Sequence, residues 1–254
     1  MGSPRGRPSL SKGAISMNKS VLLSLPVISL GLMAAGQGAS GQPGCAELVY
    51  IGRSSVKIRT ASGFVLYIDP YAPGDYSEPA DLILVTHGHA DHNNVSLPAR
   101  RKNCAVVAPR GAVEESGVKN IAEGDRIIIG PLTVEALPAS NKNHRRGDCL
   151  GYLLSFDGIR LYHAGDTSYL PEMVRFAAYK VDYAMIPCDG YYNMGPEEAL
   201  KCASAIKPRC VIPIHSNKDG PFGAANAKEL AELAVRAGMK GIVMRPGDRL
   251  ALGK

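Results

Sequence analysis

The chain has 254 residues, a formal net charge of +6, 45% apolar and 20% charged residues, and no tryptophan. That composition is close to globular averages and excludes a disordered, a collagen-like or a multi-span membrane chain. Arg5, Arg7, Lys12 and Lys19 stand in residues 1–44 with no acid beside them, so residues 45–254 carry only a small positive excess and give little support for nucleic-acid binding.

The chain begins like an address. Lys12 and Lys19 precede an apolar run from Val21 to Ala35, and Gly36, Gly38, Ala39 and Ser40 follow it. A positive segment, a short apolar segment and a small-residue exit describe a secretory signal. The apolar run is shorter than the ~20 residues needed to span a bilayer. Residues 1–40 are therefore expected to be a leader, with Met17 as an alternative start. A periplasmic protein without stable membrane insertion is expected. A cytoplasmic protein with an N-terminal extension is the competing reading. The six cysteines all lie beyond the leader and form no CxxC pair, so a zinc ribbon or a thioredoxin-like centre is unsupported. Most are expected to be buried thiols.

From Ala46 onward short strands and tight turns follow one another. Ser55–Thr60 alternates polar and apolar residues, as a half-buried strand does, and Ala61-Ser62-Gly63 turns it into Phe64–Ile68. Asp81–Val85 is a continuous apolar run, the pattern of a strand buried on both faces. Further strands are predicted over Ala105–Ala108, Arg126–Ile129, Leu132–Leu137, Gly151–Phe156, Arg160–His163, Tyr183–Ile186, Cys210–Ile214 and Gly241–Met244. Helices are predicted over Pro171–Ala178, over Pro196–Ile206 with proline and acids in its first turn, and over Ala224–Ala237, stopped by Gly238. No repeat of 20–50 residues interrupts this order. A layered α/β domain over residues 45–254 is expected.

The histidines carry the functional argument. The chain holds six, and three of them fall in Thr86-His87-Gly88-His89-Ala90-Asp91-His92, directly after the buried strand. Gly88 and Ala90 leave the backbone room to curl until four side chains converge. Imidazole and carboxylate together suit zinc and similar divalent ions. A polar turn with solvated histidines is the bland alternative, and a weak one for so dense a cluster.

His87-Gly88-His89-Ala90-Asp91-His92 resembles the HxHxDH signature of the metallo-β-lactamase superfamily. The resemblance extends to Asp69 before the signature, to His144, to Gly165-Asp166-Thr167 and to His215 in Ile212-Pro213-Ile214-His215. It covers the chain from about Ala46 to Lys254. The phrases Tyr162-His163-Ala164-Gly165-Asp166-Thr167 and Pro213-Ile214-His215 are similar to the branch that includes ascorbate-6-phosphate lactonase-like hydrolases. The resemblance implies a four-layer αββα sandwich with two metals at one edge. His87, His89 and His144 would hold the first. Asp91, His92 and His215 would hold the second, and Asp166 would bridge them with a water or hydroxide. Zinc is the expected metal, with Mn2+ or Fe2+ as alternatives. The expected reaction is hydrolysis of an ester, lactone or phosphodiester in a small substrate by a metal-activated water, with Asp91 and Asp166 as the reaction-supporting acids.

Around this set, Asp69 is expected to orient the metal loop and His163 to hydrogen-bond near the metals. Arg145 and Arg146, beside His144, suggest an anionic substrate. Tyr191 or Tyr192 could wall the pocket, and Asn217 could contact substrate. A periplasmic β-lactamase fits the leader, but Asp166 argues against it. An RNA-processing nuclease lacks the charge, and a di-iron oxygen-reducing protein would carry Glu at position 89. A non-catalytic metal-binding protein on this fold would be expected to have lost ligands, and none of the seven is missing. Oligomeric state has no signature in the sequence.

Overall fold

The structure, a computed structural model, describes residues 44–216 and 223–254. The expected leader over residues 1–40 and Asn217 lie outside the described residues.

The strands in chain order are β1 (Ala46–Gly52), β2 (Ser55–Arg59), β3 (Val65–Ile68), β4 (Ala80–Leu84), β5 (Arg100–Ala108), β6 (Lys119–Asn120) and β7 (Arg126–Ile129). They continue as β8 (Leu132–Pro138), β9 (Leu150–Phe156), β10 (Ile159–His163), β11 (Tyr183–Pro187), β12 (Cys210–Ile214), β13 (Lys240–Gly241) and β14 (Arg249–Leu252). Two helices, α1 (Pro196–Ile206) and α2 (Gly223–Arg236), and a 3₁₀ helix, Pro171–Tyr179, complete the set. The strands form two seven-stranded mixed sheets, ordered β14-β1-β2-β3-β4-β5-β6 and β13-β12-β11-β10-β9-β8-β7.

The sheets face each other across one apolar core. Leu48, Ile58, Leu66, Ile68, Leu82 and Leu84 of the first pack against Leu132, Tyr152, Leu154, Leu161, Met185 and Ile212 of the second. On the outer face of the second sheet, α1, α2 and the 3₁₀ helix bury Met173, Phe176, Cys202, Ile206 and Leu230. On the outer face of the first sheet, Tyr67, Ile83 and Val106 are covered by connecting chain, through Tyr76, Val95 and Ala112. The layered α/β sandwich is thus present, with connecting segments forming much of the layer outside the first sheet. Both sheets are covered on both faces, which is why β3, β11, β12 and the Leu82–Leu84 part of β4 read as apolar runs. No helix among the described residues is long and apolar enough to cross a membrane.

Several elements differ from the sequence pattern. β2 is buried on both faces, not half-buried. Its polar residues are satisfied internally: Lys57 pairs with Glu78 at 2.8 Å, and Ser55 Oγ donates to the Asp69 carbonyl at 2.6 Å. β5 begins five residues earlier than predicted, because the exposed Arg100–Asn103 segment hides its strand character. The apolar stretch expected as a strand over Gly241–Met244 leaves the sheet after Gly241. β6 and β14 are too short or too polar to stand out. The helix expected over Pro171–Ala178 is 3₁₀ and stops where Lys180 turns left-handed, φ 51°.

One feature of the topology positions chemistry. β3, β4 and β5 run parallel, as do β10, β11 and β12. β1 and β8 share these directions, each being two antiparallel steps removed. The carboxyl ends of these strands meet at one edge of the sandwich, where ligands bind in open α/β sheets.

Candidate metal centre

Those eight strands end at that edge, and the loops after seven of them deliver the side chains of the cluster. The turn after β1 carries Arg53, β3 ends on Asp69, and β4 runs into Thr86–His92. The chain after β8 carries Asn141 and His144, β10 leads to Asp166, β11 to Asp189, and β12 to His215.

The local backbone is forced into unusual shapes here. Arg53, Asp69 and His215 all have left-handed φ, 51°, 48° and 52°. A non-glycine residue in this region costs of order 1–3 kcal/mol and persists only where its surroundings hold it. Gly165 is required as glycine. Its φ is +62°, and a Cβ there would lie 2.6 Å from the Leu150 carbonyl and 3.1 Å from Thr86 Cβ. That close approach seats the Asp166 loop against the Thr86–His92 loop.

The seven residues expected as ligands converge. His87, His89 and His144 form one group, Asp91, His92 and His215 a second, and His87, His92 and Asp166 a third that joins them, with donor atoms within 4.8 Å of one another in each. Asp166 stands 3.5 Å from His92 Nε2, 3.5 Å from His144 Nε2 and 3.4 Å from His215 Nε2. Donors around a tetrahedral cation at about 2.0–2.1 Å lie about 3.3–3.4 Å apart, so this spacing fits metal coordination better than direct hydrogen bonding.

The outward ring nitrogens are held by oxygen atoms. His92 Nδ1 donates to Asp69 at 2.7 Å, His215 Nδ1 to Asp189 at 3.0 Å, and His144 Nδ1 to Asn141 Oδ1 at 2.7 Å. His87 Nδ1 meets Thr86 Oγ1 at 3.0 Å, and that hydroxyl itself donates to Asp69 at 2.7 Å. Each contact puts the proton on Nδ1 and points the Nε2 lone pair inward, the arrangement of metal-ligating histidines. The inward atoms His87 Nε2, His92 Nε2 and Asp166 Oδ1 are buried with no hydrogen-bond partner. His144 Nε2 and His89 Nδ1 face each other at 3.1 Å. Buried polar atoms are rarely left orphaned, and a pair of cations would satisfy all of these at once. The residues present therefore fit divalent metal.

Charge agrees with that fit. Burial alone would raise Asp91 and Asp166, but the surrounding histidines, with Arg53 beside Asp91 and Asn193 beside Asp166, hold both below the usual carboxylate range. Burial lowers His87 to about 3. It also opposes a charge on His215, but the nearby carboxylates of Asp166, Asp189 and Asp91 outweigh it and raise that ring to about 10. The cluster is a buried, electron-rich set poised for positive charge.

Asp69 is fully buried and binds the loop from below, accepting the Thr86 N–H at 2.7 Å as well as Thr86 Oγ1 and His92. His163 is also buried, and burial keeps it neutral. Its Nδ1 accepts the Gly165 N–H at 3.2 Å, so its Nε2–H donates to the Ser54 carbonyl at 3.0 Å. It ties the Asp166 loop to the turn after β1 and does not reach the cavity.

A cavity of about 580 Å³ opens over the cluster, lined by Arg53, Tyr71, His89, Asn143, His144 and Tyr192 among others. Two expectations are corrected here. Arg146 is drawn away from the cavity by Glu123 at 2.6 Å and Glu172 at 2.5 Å. Arg145 lines an adjoining cavity of about 500 Å³ that His87, His89 and His144 also border, and its exposed guanidinium pairs with Asp148 at 2.8 Å. Tyr191 is 71% exposed and packs on Tyr192, which is the tyrosine at the cavity wall.

Arg53, Asp189 and Asn193 also reach the cluster, and the sequence pattern gave none of them an individual role. Asn193 Nδ2 donates to Asp166 at 3.0 Å and to Asp189 at 2.9 Å. A signal for Asp189 existed: it follows the buried run of β11 as Asp69 follows that of β3. Arg53 carried none, since an arginine in a strand turn is ordinarily solvated.

Residues 47–215 match the family model described as a β-lactamase superfamily domain. The chain belongs to the metallo-β-lactamase superfamily. This superfamily member is 32% identical over 231 residues to a UPF0173 metal-dependent hydrolase of Pyrococcus furiosus, covering 81% of this chain and 99% of that one. It is 30% identical to a UPF0173 metal-dependent hydrolase of Thermus thermophilus, with 81% and 99% covered. Among solved structures it resembles Igni18, a metallo hydrolase of the archaeon Ignicoccus hospitalis, at TM-score 0.70 and 26% identity, covering 82% of this chain and 99% of that one. The protein is a metal-dependent hydrolase.

Proposed function

We propose that the protein is a binuclear hydrolase that cleaves an ester, lactone or phosphodiester bond in a small substrate. His87, His89 and His144 would hold one cation, Asp91, His92 and His215 the other, with Asp166 between them. Bound there, two divalent cations, zinc by the histidine-rich donor set or manganese or iron, lower the pKa of water toward ~7 and counter the charge that develops on the cleaved bond. The observation that carries this reading is the set of buried, unpartnered inward atoms, His87 Nε2, His92 Nε2 and Asp166 Oδ1.

The chain's own contribution is preorganisation. Asp69, Asp189, Asn141 and Thr86 fix the tautomers of four histidines. Asn193 orients Asp166, and His163 locks the loop that carries it. Tyr71, Asn143 and Tyr192 border the space in which substrate sits. The similarity to lactonase-like hydrolases makes a lactone the first substrate class to try. The leader expected over residues 1–40 would place this activity in the periplasm, which cell fractionation checks.

The test is metal analysis of the purified full chain together with a panel of lactone, p-nitrophenyl ester, phosphodiester, thioester and nitrocefin substrates. About two metal equivalents are expected, with hydrolysis abolished by chelator and restored by zinc, manganese or iron. Asp166→Asn is expected to lower kcat by at least on the order of 10³-fold. A stoichiometry of one or less, or chelator-resistant turnover, overturns the binuclear reading. Nitrocefin as the preferred substrate would make the protein a β-lactamase.

A further inference from the structure

The cavity above the cluster contains one arginine and no lysine among its described lining residues, and the arginine is neither of those next to His144. Arg53 sits in the turn between β1 and β2, its backbone held in the left-handed region. Its carbonyl accepts the His215 N–H at 2.9 Å and the Tyr50 hydroxyl at 2.8 Å, so the base of the side chain is fixed to the loop that carries a proposed ligand. The guanidinium pairs with Asp91 Oδ2 and stands 3.5 Å from His215 Nε2. Its Cζ lies 6.0 Å from the Tyr71 ring centroid, and its Nε is buried without a partner.

This arrangement has an electrostatic consequence. Asp91 Oδ2 faces Arg53, His92 and His215 alike, so a cation held by Asp91 competes with the guanidinium for the same oxygen. With a cation drawing on Asp91, the guanidinium is left with donors that an oxyanion in the cavity can meet. The 580 Å³ cavity has room for that anion. Arginine's planar fork matches the oxygens of a phosphate or carboxylate, and the aromatic face of Tyr71 supports the cation from the side.

We propose that Arg53 determines specificity by binding an oxyanion of the substrate, a phosphate or a carboxylate, in the cavity over the metal cluster. The proposal rests on the hydrolase reading above and adds the substrate class: an anionic molecule whose charged group lies close to the bond that is cleaved. Arg145 and Arg146 do not line this cavity: Arg145 borders the adjoining one, and Arg146 is held by Glu123 and Glu172.

The test uses the zinc-loaded full chain, wild type, Arg53→Gln and Arg53→Lys. Metal content is measured first. Binding of inorganic phosphate and of acetate is then followed by calorimetry, which separates the two oxyanion sources. Finally kcat/KM is compared for bis-p-nitrophenyl phosphate and for neutral p-nitrophenyl acetate. Arg53→Gln is expected to retain two metals, to weaken phosphate or acetate binding by about tenfold or more, and to lower the ratio of anionic to neutral kcat/KM by a similar factor. Arg53→Lys, a point charge without the fork, is expected to fall between. Wild-type protein that binds neither oxyanion overturns the proposal. So does an unchanged affinity in Arg53→Gln, an equal loss on both substrates, or a loss of metal that accompanies the loss of affinity, since the arginine would then serve only to position Asp91. Two bound metals with chelator-sensitive turnover but no Arg53 effect would leave the hydrolase reading standing. A chain that binds no metal would remove that reading instead.

Discussion

The two edges of the second sheet both open into cavities lined by charged side chains, and they differ in how the polar atoms at each are met. At the amino ends of β10 and β11 a cavity of about 1040 Å³ is lined by Arg126, Glu135, Arg160, Asp182, Lys207 and Arg209 among others. Its charges answer one another locally. Arg209 pairs with Asp182 at 3.1 Å, Arg126 with Glu135 at 3.4 Å, and Arg160 donates to the Tyr179 carbonyl at 2.6 Å. At the carboxyl ends the cavity is little more than half that size, yet buried ring nitrogens and a carboxylate oxygen point inward without partners. Left-handed backbone occurs at both, at Arg53, Asp69 and His215 here and at Lys180 and Lys207 around the other. Size, charge and backbone strain do not mark the working edge. Unmet buried polar atoms do.

The comparison can be broken at its hinge. Gly165→Ala puts a methyl group into the Leu150 carbonyl and asks alanine to hold φ +62°. Destabilisation on the order of 3 kcal/mol is expected, with loss of bound metal, read from urea denaturation and metal analysis. A variant of wild-type stability would mean that the loop contact is not what holds Asp166 in place.

A smaller effect sharpens the account of the working edge. Asp189→Asn keeps the shape of the His215 partner but removes its charge, so metal affinity is expected to fall by about 10–100-fold. Competition with a chromogenic chelator measures this. The Cys188 and Cys202 thiols, both pushed up to about 12 by burial, are expected to resist alkylation at pH 8 while metal is bound, with Cys45 and Cys104 labelling first in a mass-spectrometric time course. The smallest effect belongs to the other edge. Arg126→Ala breaks an exposed pair and should leave metal content and turnover within twofold of wild type. A larger loss there would mean that the two edges communicate.

Much of the site was legible because part of it is contiguous. Four donor groups within Thr86–His92 follow an apolar strand, and no alternative use of such a segment is comparably economical. His144, Asp166 and His215 were legible only through their resemblance to a family order. Asp69 and Asp189 differ in instructive fashion. Both are acids that terminate buried strands and brace a histidine, but only the first lies close enough to the cluster in sequence to be read with it. Arg146 shows the opposite error. Adjacency to His144 in the chain suggested adjacency in space, yet the side chain is long enough to leave, and Glu123 and Glu172 draw it outward.

The sequence by itself determined the strands and the short-range donor cluster, because alternation, apolar runs and ligand spacing are local properties that survive without a partner. Tertiary structure decided which distant side chains face the cluster: Arg53 from the turn after β1, Asn193 from the segment before α1, and Asp189 from the end of β11. Those contacts span sequence separations of 38 residues for Arg53 with Asp91 and 27 for Asn193 with Asp166. Only the parallel course of strands in two facing sheets brings such residues to one edge, and no local pattern encodes which neighbour each will meet there.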